Sequence, residues 1–377
     1  MRSAEAKDGP RAWQPRAAPK VFIAPRRRAT RLAVRRTVLL ILVLTFALPA
    51  AAVADHRPPR WKPVPTGSDQ QYRGLDAVDK RVAWVGGSAG EVLRTTDGGR
   101  TWKDVSPPDS AGLLFRDVEA QSDRRASVLS IGEGTASRIY TTTDGGRSWR
   151  LAFVNDDPAA FYDCMDFFDG GRRGLALSDP VDGKFRIAAT DDSGRSWHVL
   201  STDGMPPAVA GEFAFAASGT CLVTSGGRDA WFASGGGASR VFHSRNGGFT
   251  WKVTAAPIPA AEAGGVFSLA FRNPREGVMV GGDFTAPESG ADASGFTRDG
   301  GSSWRPGGDL SGYRSGVDWL SGAHATLIAV GPTGSDVTYD GGRRWTPFDT
   351  APYDAVDCVP GTCWASGPAG AVAVLAR

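Results

Sequence analysis

One octapeptide, Ser/Thr-x-Asp/Asn-x-Gly-x-x-Trp, occurs six times in the 377 residues of this chain. The copies are Thr95–Trp102, Thr142–Trp149, Thr190–Trp197, Ser244–Trp251, Thr297–Trp304 and Thr338–Trp345. Their closing tryptophans lie 47, 48, 54, 53 and 41 residues apart. A repeat of about 40–50 residues with strand-like sequence between copies is the period of a β-propeller blade. Each unit must therefore bury its apolar face against a neighbouring copy, and the chain must close on itself.

The chemistry of the octapeptide is that of a turn. Asp-Gly-Gly between two β-rich runs supplies the positive φ angles of a tight hairpin. The acidic side chain accepts bonds from backbone amides further along the turn. This assigns Asp97, Asp144, Asp192, Asn246, Asp299 and Asp340 a structural role, with Asn246 keeping the acceptor. The octapeptide is similar to the Asp-box, or BNR, repeat of sialidases and related propellers.

The ends of the chain differ from its middle. Residues 1–36 are rich in arginine, proline and alanine, and an uncharged run follows from Thr37 to Ala54. Ala52-Val53-Ala54 fits a small-residue cleavage site. The expectation is a leader over 1–54, a propeller over 55–377, and export to the periplasm or medium. An uncleaved anchor over 37–54 is the alternative and would be the one membrane contact. Removing residues 1–54 takes 11 of 43 basic and 2 of 40 acidic residues, which leaves 32 against 38. Nucleic acid is therefore not an expected partner, because such proteins carry their basic excess on the folded domain. An exported chain can form disulfides. Cys358 and Cys363 flank a Pro-Gly turn and are expected to pair, whereas Cys164 and Cys221 read as small buried side chains. The scattered histidines suggest no metal site, and no motif implies a cofactor.

Six units run from Leu75 to Phe348, the fourth of them from Phe213 to Val253. The pattern then restarts at Ala355 and stops without a fourth strand. Trp61-Lys62-Pro63-Val64 resembles the box strands Trp102–Val105 and Trp251–Val253. It is expected to complete the last blade, giving an all-β, seven-bladed ring of four-stranded antiparallel blades, a monomer closed by its N-terminal strand.

Lining up the inner strands places acids at one register: Asp76, Glu119, Asp166, Asp318 and Asp357. They are expected to ring the central channel. Arg73, Arg116 and Arg314 enter the same strands and are expected to converge at the channel mouth, suited to carboxylates. Unusual segments of the middle blades add Asp163, Asp179, Lys184, Glu212 and Arg240 as ligand-face candidates. For a glycan-cleaving alternative, Asp179, Asp182 and Glu212 are the candidate acid and base.

The boxes, together with Trp84–Gly99 (Trp-Val-Gly-Gly through Thr-Thr-Asp-Gly-Gly), resemble the photosystem II stability/assembly-factor family of Asp-box propellers. That family sits within the wider WD40/YVTN/BNR-like group. The resemblance implies a non-enzymatic scaffold that binds a protein or peptide, with arginines clustered on one face, and that assists assembly of an envelope complex. A sialidase-like hydrolase or lyase is the alternative. An oxidoreductase is a third reading, resting on family labels alone.

Overall fold

The computed structural model describes residues 58–376 other than His324. The leader expected over 1–54 lies outside the described residues. The described residues form a seven-bladed propeller of antiparallel sheets.

Blade one comprises Tyr72–Ala77, Ala83–Gly87, Val92–Thr95 and Lys103–Asp104. Blade two comprises Leu114–Ala120, Ala126–Ile131, Arg138–Thr142 and Arg150–Val154. Blade three comprises Tyr162–Phe167, Gly174–Val181, Lys184–Thr190 and His198–Val199. Blade four comprises Leu222–Ser225, Asp229–Ala233, Arg240–Ser244 and Lys252–Ala255. Blade five comprises Gly264–Asn273, Glu276–Asp283, Ser294–Thr297 and Arg305–Pro306. Blade six comprises Gly316–Trp319, Leu327–Gly331, Gly334–Thr338 and Thr346–Asp349. Blade seven takes Ala355–Val359, Thr362–Ser366 and Val372–Ala376 from the C-terminus and Arg60–Pro63 from the N-terminus. Trp61 pairs with Leu375, and the Val64 amide donates to the Val372 carbonyl at 2.8 Å. The ring closes where the sequence places the closure.

Each box is a self-contained network. The Thr95 hydroxyl accepts the Gly99 amide at 3.0 Å, and Asp97 accepts the Thr101 amide at 2.9 Å and its hydroxyl at 2.7 Å. These bonds hold the Asp97 carboxyl at about 2, well below its usual range. Asn246 reproduces the pattern, accepting the Thr250 amide at 2.9 Å and donating to its hydroxyl at 3.0 Å. The box tryptophan then bridges blades: Trp149 packs edge-on to Trp84 of blade one, and Trp102 to Trp364 of blade seven. Thr95→Val removes the acceptor for a buried amide and is expected to cost about 1–3 kcal/mol. A denaturant titration checks this.

The blades are stapled to one another around the channel. Asp357 accepts the Ala77 amide of blade one at 2.6 Å, and Asp76 accepts the Ala120 amide of blade two. Asp117 accepts the Met165 amide at 2.5 Å, and Asp166 the Thr224 amide at 2.5 Å. Thr220 and Ser268 join blades four and five through their hydroxyls at 2.7 Å, and Ser268 accepts the Val317 amide at 3.0 Å. Asp318 closes the set on the Cys358 amide at 2.8 Å. The acids expected at one register thus do line the channel, around a cavity of about 250 Å³. Four of the five join neighbouring blades, and Glu119 stands among them without an amide of its own.

Two expectations change. Blade four begins at Leu222, not at Phe213. The two-residue strand Glu212–Phe213 instead pairs with Gly235–Gly236, and Gly235 pairs with Gly265 of blade five. The glycines permit this close approach, because a Cβ on Gly235 would sit 2.3 Å from the Phe215 ring and 2.7 Å from the Gly264 carbonyl. Cys164 and Cys221 form a disulfide joining blades three and four, alongside the Cys358–Cys363 hairpin disulfide. Once blade four starts at Leu222, Cys221 falls beside the Cys164 strand.

Candidate ligand pocket at the channel mouth

A β-bulge recurs near the start of the inner strands. The pairing slips between Tyr72 and Gly74, Phe115 and Asp117, Tyr162 and Cys164, and Val266 and Ser268. The extra residues are Arg73, Arg116, Asp163 and Phe267. A bulge leaves its extra residue unpaired and re-aims the side chain. All four line one pocket of about 620 Å³, three residues along the strand from the channel register. Asp354, three residues before Asp357, joins them.

The wall of the pocket is aromatic. Phe161, Phe213, Phe215, Phe267, Phe284 and Tyr313 line it. Phe215 stacks on Phe267 with ring centroids 3.6 Å apart, and Tyr313 meets Phe267 edge-on at 4.7 Å. The segment around Phe213 and Phe215 reaches the mouth because its backbone is tied down at Asp179, which accepts the Ala214 amide at 2.7 Å. A second depression of about 680 Å³ shares Phe161, Asp179 and Phe213 with the first, so the cleft continues outward over blade three.

The charges in the pocket are only partly matched. Arg73 lies 3.6 Å from Asp354, whose other oxygen accepts the Gln71 side-chain amide at 2.9 Å. The Arg73 Nε is buried and makes no hydrogen bond. Arg116 donates to the neutral Ala216 carbonyl at 3.0 Å. Burial, and then the neighbouring Arg73 charge, lower it to about 10. Asp163 is 1% exposed, and its Oδ2 is enclosed without a partner. Burial and the Asp179 charge push the Asp163 carboxyl well above its usual range, and burial raises Asp179 to about 7.

The remaining sequence candidates lie elsewhere. Arg314 is 0% exposed and donates to Asp336 at 2.7 Å and to the Tyr313 carbonyl at 2.9 Å. It therefore does not converge with Arg73 and Arg116. Four residues separate it from Asp318, where three separate each mouth arginine from its acid. That one-residue slip turns the side chain to the opposite face. Lys184 donates to the Thr202 carbonyl at 2.9 Å. Arg240 is paired with Glu212, and the Glu212 carboxylate also accepts the Ser234 hydroxyl at 2.5 Å and the Val209 amide at 2.8 Å. Asp182 is exposed at the tip of a hairpin with φ of 53°. Of the carboxylates of the glycan-cleaving alternative, Asp179 lines both the mouth pocket and the adjoining depression, Glu212 lines the depression alone, and Asp182 lines neither. Asp163, Asp354 and Phe267 share the arginine register, and that spacing was the available signal. Among the described residues, no group of three or more His, Cys, Asp and Glu side chains is arranged to hold a metal ion.

No protein-family model and no curated protein sequence matches the chain. Solved structures do. The structure titled YCF48 bound to D1 peptide superposes with a TM-score of 0.59 at 16% identity, covering 86% of this chain and 96% of that one. YCF48 from Cyanidioschyzon merolae gives 0.56 at 17% identity, covering 83% and 98%. The Neurospora crassa Pan2 WD40 domain gives 0.54 at 14% identity, covering 81% and 88%. The fold is the one these propellers share, in keeping with the resemblance carried by the boxes.

Proposed function

We propose that the chain is a protein-binding propeller whose mouth pocket takes an anionic group of a peptide segment, either a C-terminal carboxylate or an acidic side chain. The observation that carries this reading is Arg116, a half-buried guanidinium on the pocket wall that donates to a neutral carbonyl. An incoming carboxylate supplies the charge the site lacks, and the planar guanidinium suits it in a bidentate geometry. The aromatic wall then receives the neighbouring residues, as peptide anchors commonly fill apolar pockets. A propeller of the same fold has been solved with a peptide bound. The two disulfides and the leader sequence support an exported protein, and the resemblance carried by the boxes supports a role in assisting an envelope complex.

Fluorescence polarisation with short labelled peptides tests this. Peptides with a free C-terminal carboxylate are expected to bind at least ~10-fold tighter than their C-terminal amides, equivalent to about 1.4 kcal/mol. Affinity should fall with added salt. Arg116→Glu should abolish the difference while leaving the melting temperature within a few degrees. Equal binding of acid and amide across acidic and neutral sequences overturns the proposal.

A further inference from the structure

We infer that the pocket is bipolar: beside the arginines, Asp163 and Asp179 form a subsite for a cationic group, so the bound segment carries a lysine or arginine side chain as well as a carboxylate. This rests on reading the pocket as a peptide site and specifies which peptides it selects.

The geometry comes from the bulge register. Blades one and two project Arg73 and Arg116 into the mouth, and blade three projects Asp163 from the same position. The two charges of opposite sign are therefore set on neighbouring blades of one wall. Blade seven also projects an acid, Asp354, but that carboxylate is engaged by Arg73 and Gln71. Asp163 has no such neighbour. Its Oδ2 is enclosed, makes no hydrogen bond and belongs to a side chain lining the pocket.

Arg116, in the same pocket, is turned to the Ala216 carbonyl, and the cations of blades three and four are already used. Arg186 pairs with Asp157 at 2.7 Å, Lys184 donates to a carbonyl, and Arg240 is held by Glu212. The Asp179 backbone amide meets the Asp163 carboxyl, but the enclosed Oδ2 without a partner is costly, and a second acid beside it adds repulsion. A ligand ammonium or guanidinium removes both penalties, because it donates several hydrogen bonds and supplies the missing charge. A hydroxyl supplies one donor and no charge. The other charged and titratable groups lining the pocket are Arg73, Arg116, Asp354 and Tyr313, with Glu133 and Glu212 lining the adjoining depression.

The sign of the pH effect follows. A bound cation favours the ionised acids, so binding releases protons. Affinity for a cationic ligand should rise as the pH rises through the Asp179 value of about 7, because the burial-raised Asp163 and Asp179 carboxyls must ionise to meet the cation.

The test is isothermal titration with N-acetylated pentapeptides ending in a free carboxylate. A single lysine is placed at each position in turn and compared with its norleucine twin. One lysine position is expected to bind at least ~10-fold tighter than the twin. Titrations in two buffers of different ionisation enthalpy should show proton release for that peptide and not for its twin. The lysine-over-norleucine ratio should fall toward one in Asp163→Asn. Asp179→Asn, which keeps an oxygen for the Ala214 amide, should lower the ratio too. Equal binding of lysine and norleucine peptides at every position overturns the cationic subsite and leaves the peptide reading standing. Absence of binding by every free-carboxylate peptide overturns both.

Discussion

Replacing Trp61 with alanine is expected to destabilise the ring by about 3–5 kcal/mol, the usual cost of deleting a buried tryptophan. Trp61 is 7% exposed although its strand lies at the outer edge of blade seven. Its ring lies 5.5 Å from Tyr353 and 6.1 Å from Phe348, and its Nε1 donates to the Ser335 hydroxyl of blade six at 2.9 Å. One side chain thus ties the N-terminal strand to two blades. Trp61→Phe should fall between wild type and alanine, because it keeps an aromatic ring but loses the bond to Ser335 and part of the indole's packing volume. Deleting residues 58–64 should do more. Val372–Ala376 would become an open edge beside blade six, and open edges invite pairing with other chains. The deleted protein is expected to lose its cooperative melt and to elute as oligomers on size exclusion. A deletion that melts and elutes like the intact chain would mean the three C-terminal strands close the ring unaided.

Much of this was legible in the sequence, for a physical reason. A propeller repeats one unit, so residues doing the same task recur at the same spacing. The boxes fix the outer turns, and Trp61–Val64 announced itself by matching a box strand. The channel acids could be aligned because they share one register across five blades. Arg314 shows how narrow that logic is. One added residue between it and Asp318 converts a mouth residue into a buried ion-pair partner of Asp336.

Blade four was misread because Phe213 and Phe215 alternate as an inner strand does. Their rings pack over the mouth, a tertiary contact with Phe267 that no local pattern announces. The Cys164–Cys221 disulfide was hidden by the same phase error. Asp163 and Asp179 stood out in the unusual segments of the middle blades, but the shared register of Asp163 with the arginines needed the bulges. They explain why Arg73, Arg116 and Asp163, three positions before Asp76, Glu119 and Asp166, point at the ligand face.

The channel acids give the last expectation, a melting temperature that falls as pH rises from about 5 to 9. Asp76, Glu119, Asp166, Asp318 and Asp357 are all raised above the usual carboxylate range, first by burial. Repulsion from the other acids adds to this for Asp76, Glu119 and Asp318. Asp166 sits at about 7. In the unfolded chain these groups titrate near their ordinary values of about 4. Above that value the folded state holds protons that the unfolded state has released, so stability declines with pH. For Asp166 the loss accumulates between about 4 and 7, of the order of a few kcal/mol, and is complete above 7. The box acids act in the opposite sense: Asp97 and Asp144 titrate at about 2, so their contribution is lost only in strong acid. Maximum stability is therefore expected near pH 4–5.

Asp76→Asn separates the ring from other causes. Asp76 accepts the Ala120 amide and shares a hydrogen bond with Asp357, so one of that pair carries the proton. Asparagine copies the protonated form, with its oxygen on the Ala120 amide and its NH₂ toward Asp357. The variant should match wild type at pH 5 and melt several degrees higher at pH 8–9. Glu119→Gln should behave alike, because Glu119 hydrogen-bonds Asp166. Parallel wild-type and Asp76→Asn curves from pH 5 to 9 would show that this carboxylate ionises as freely in the channel as in the unfolded chain.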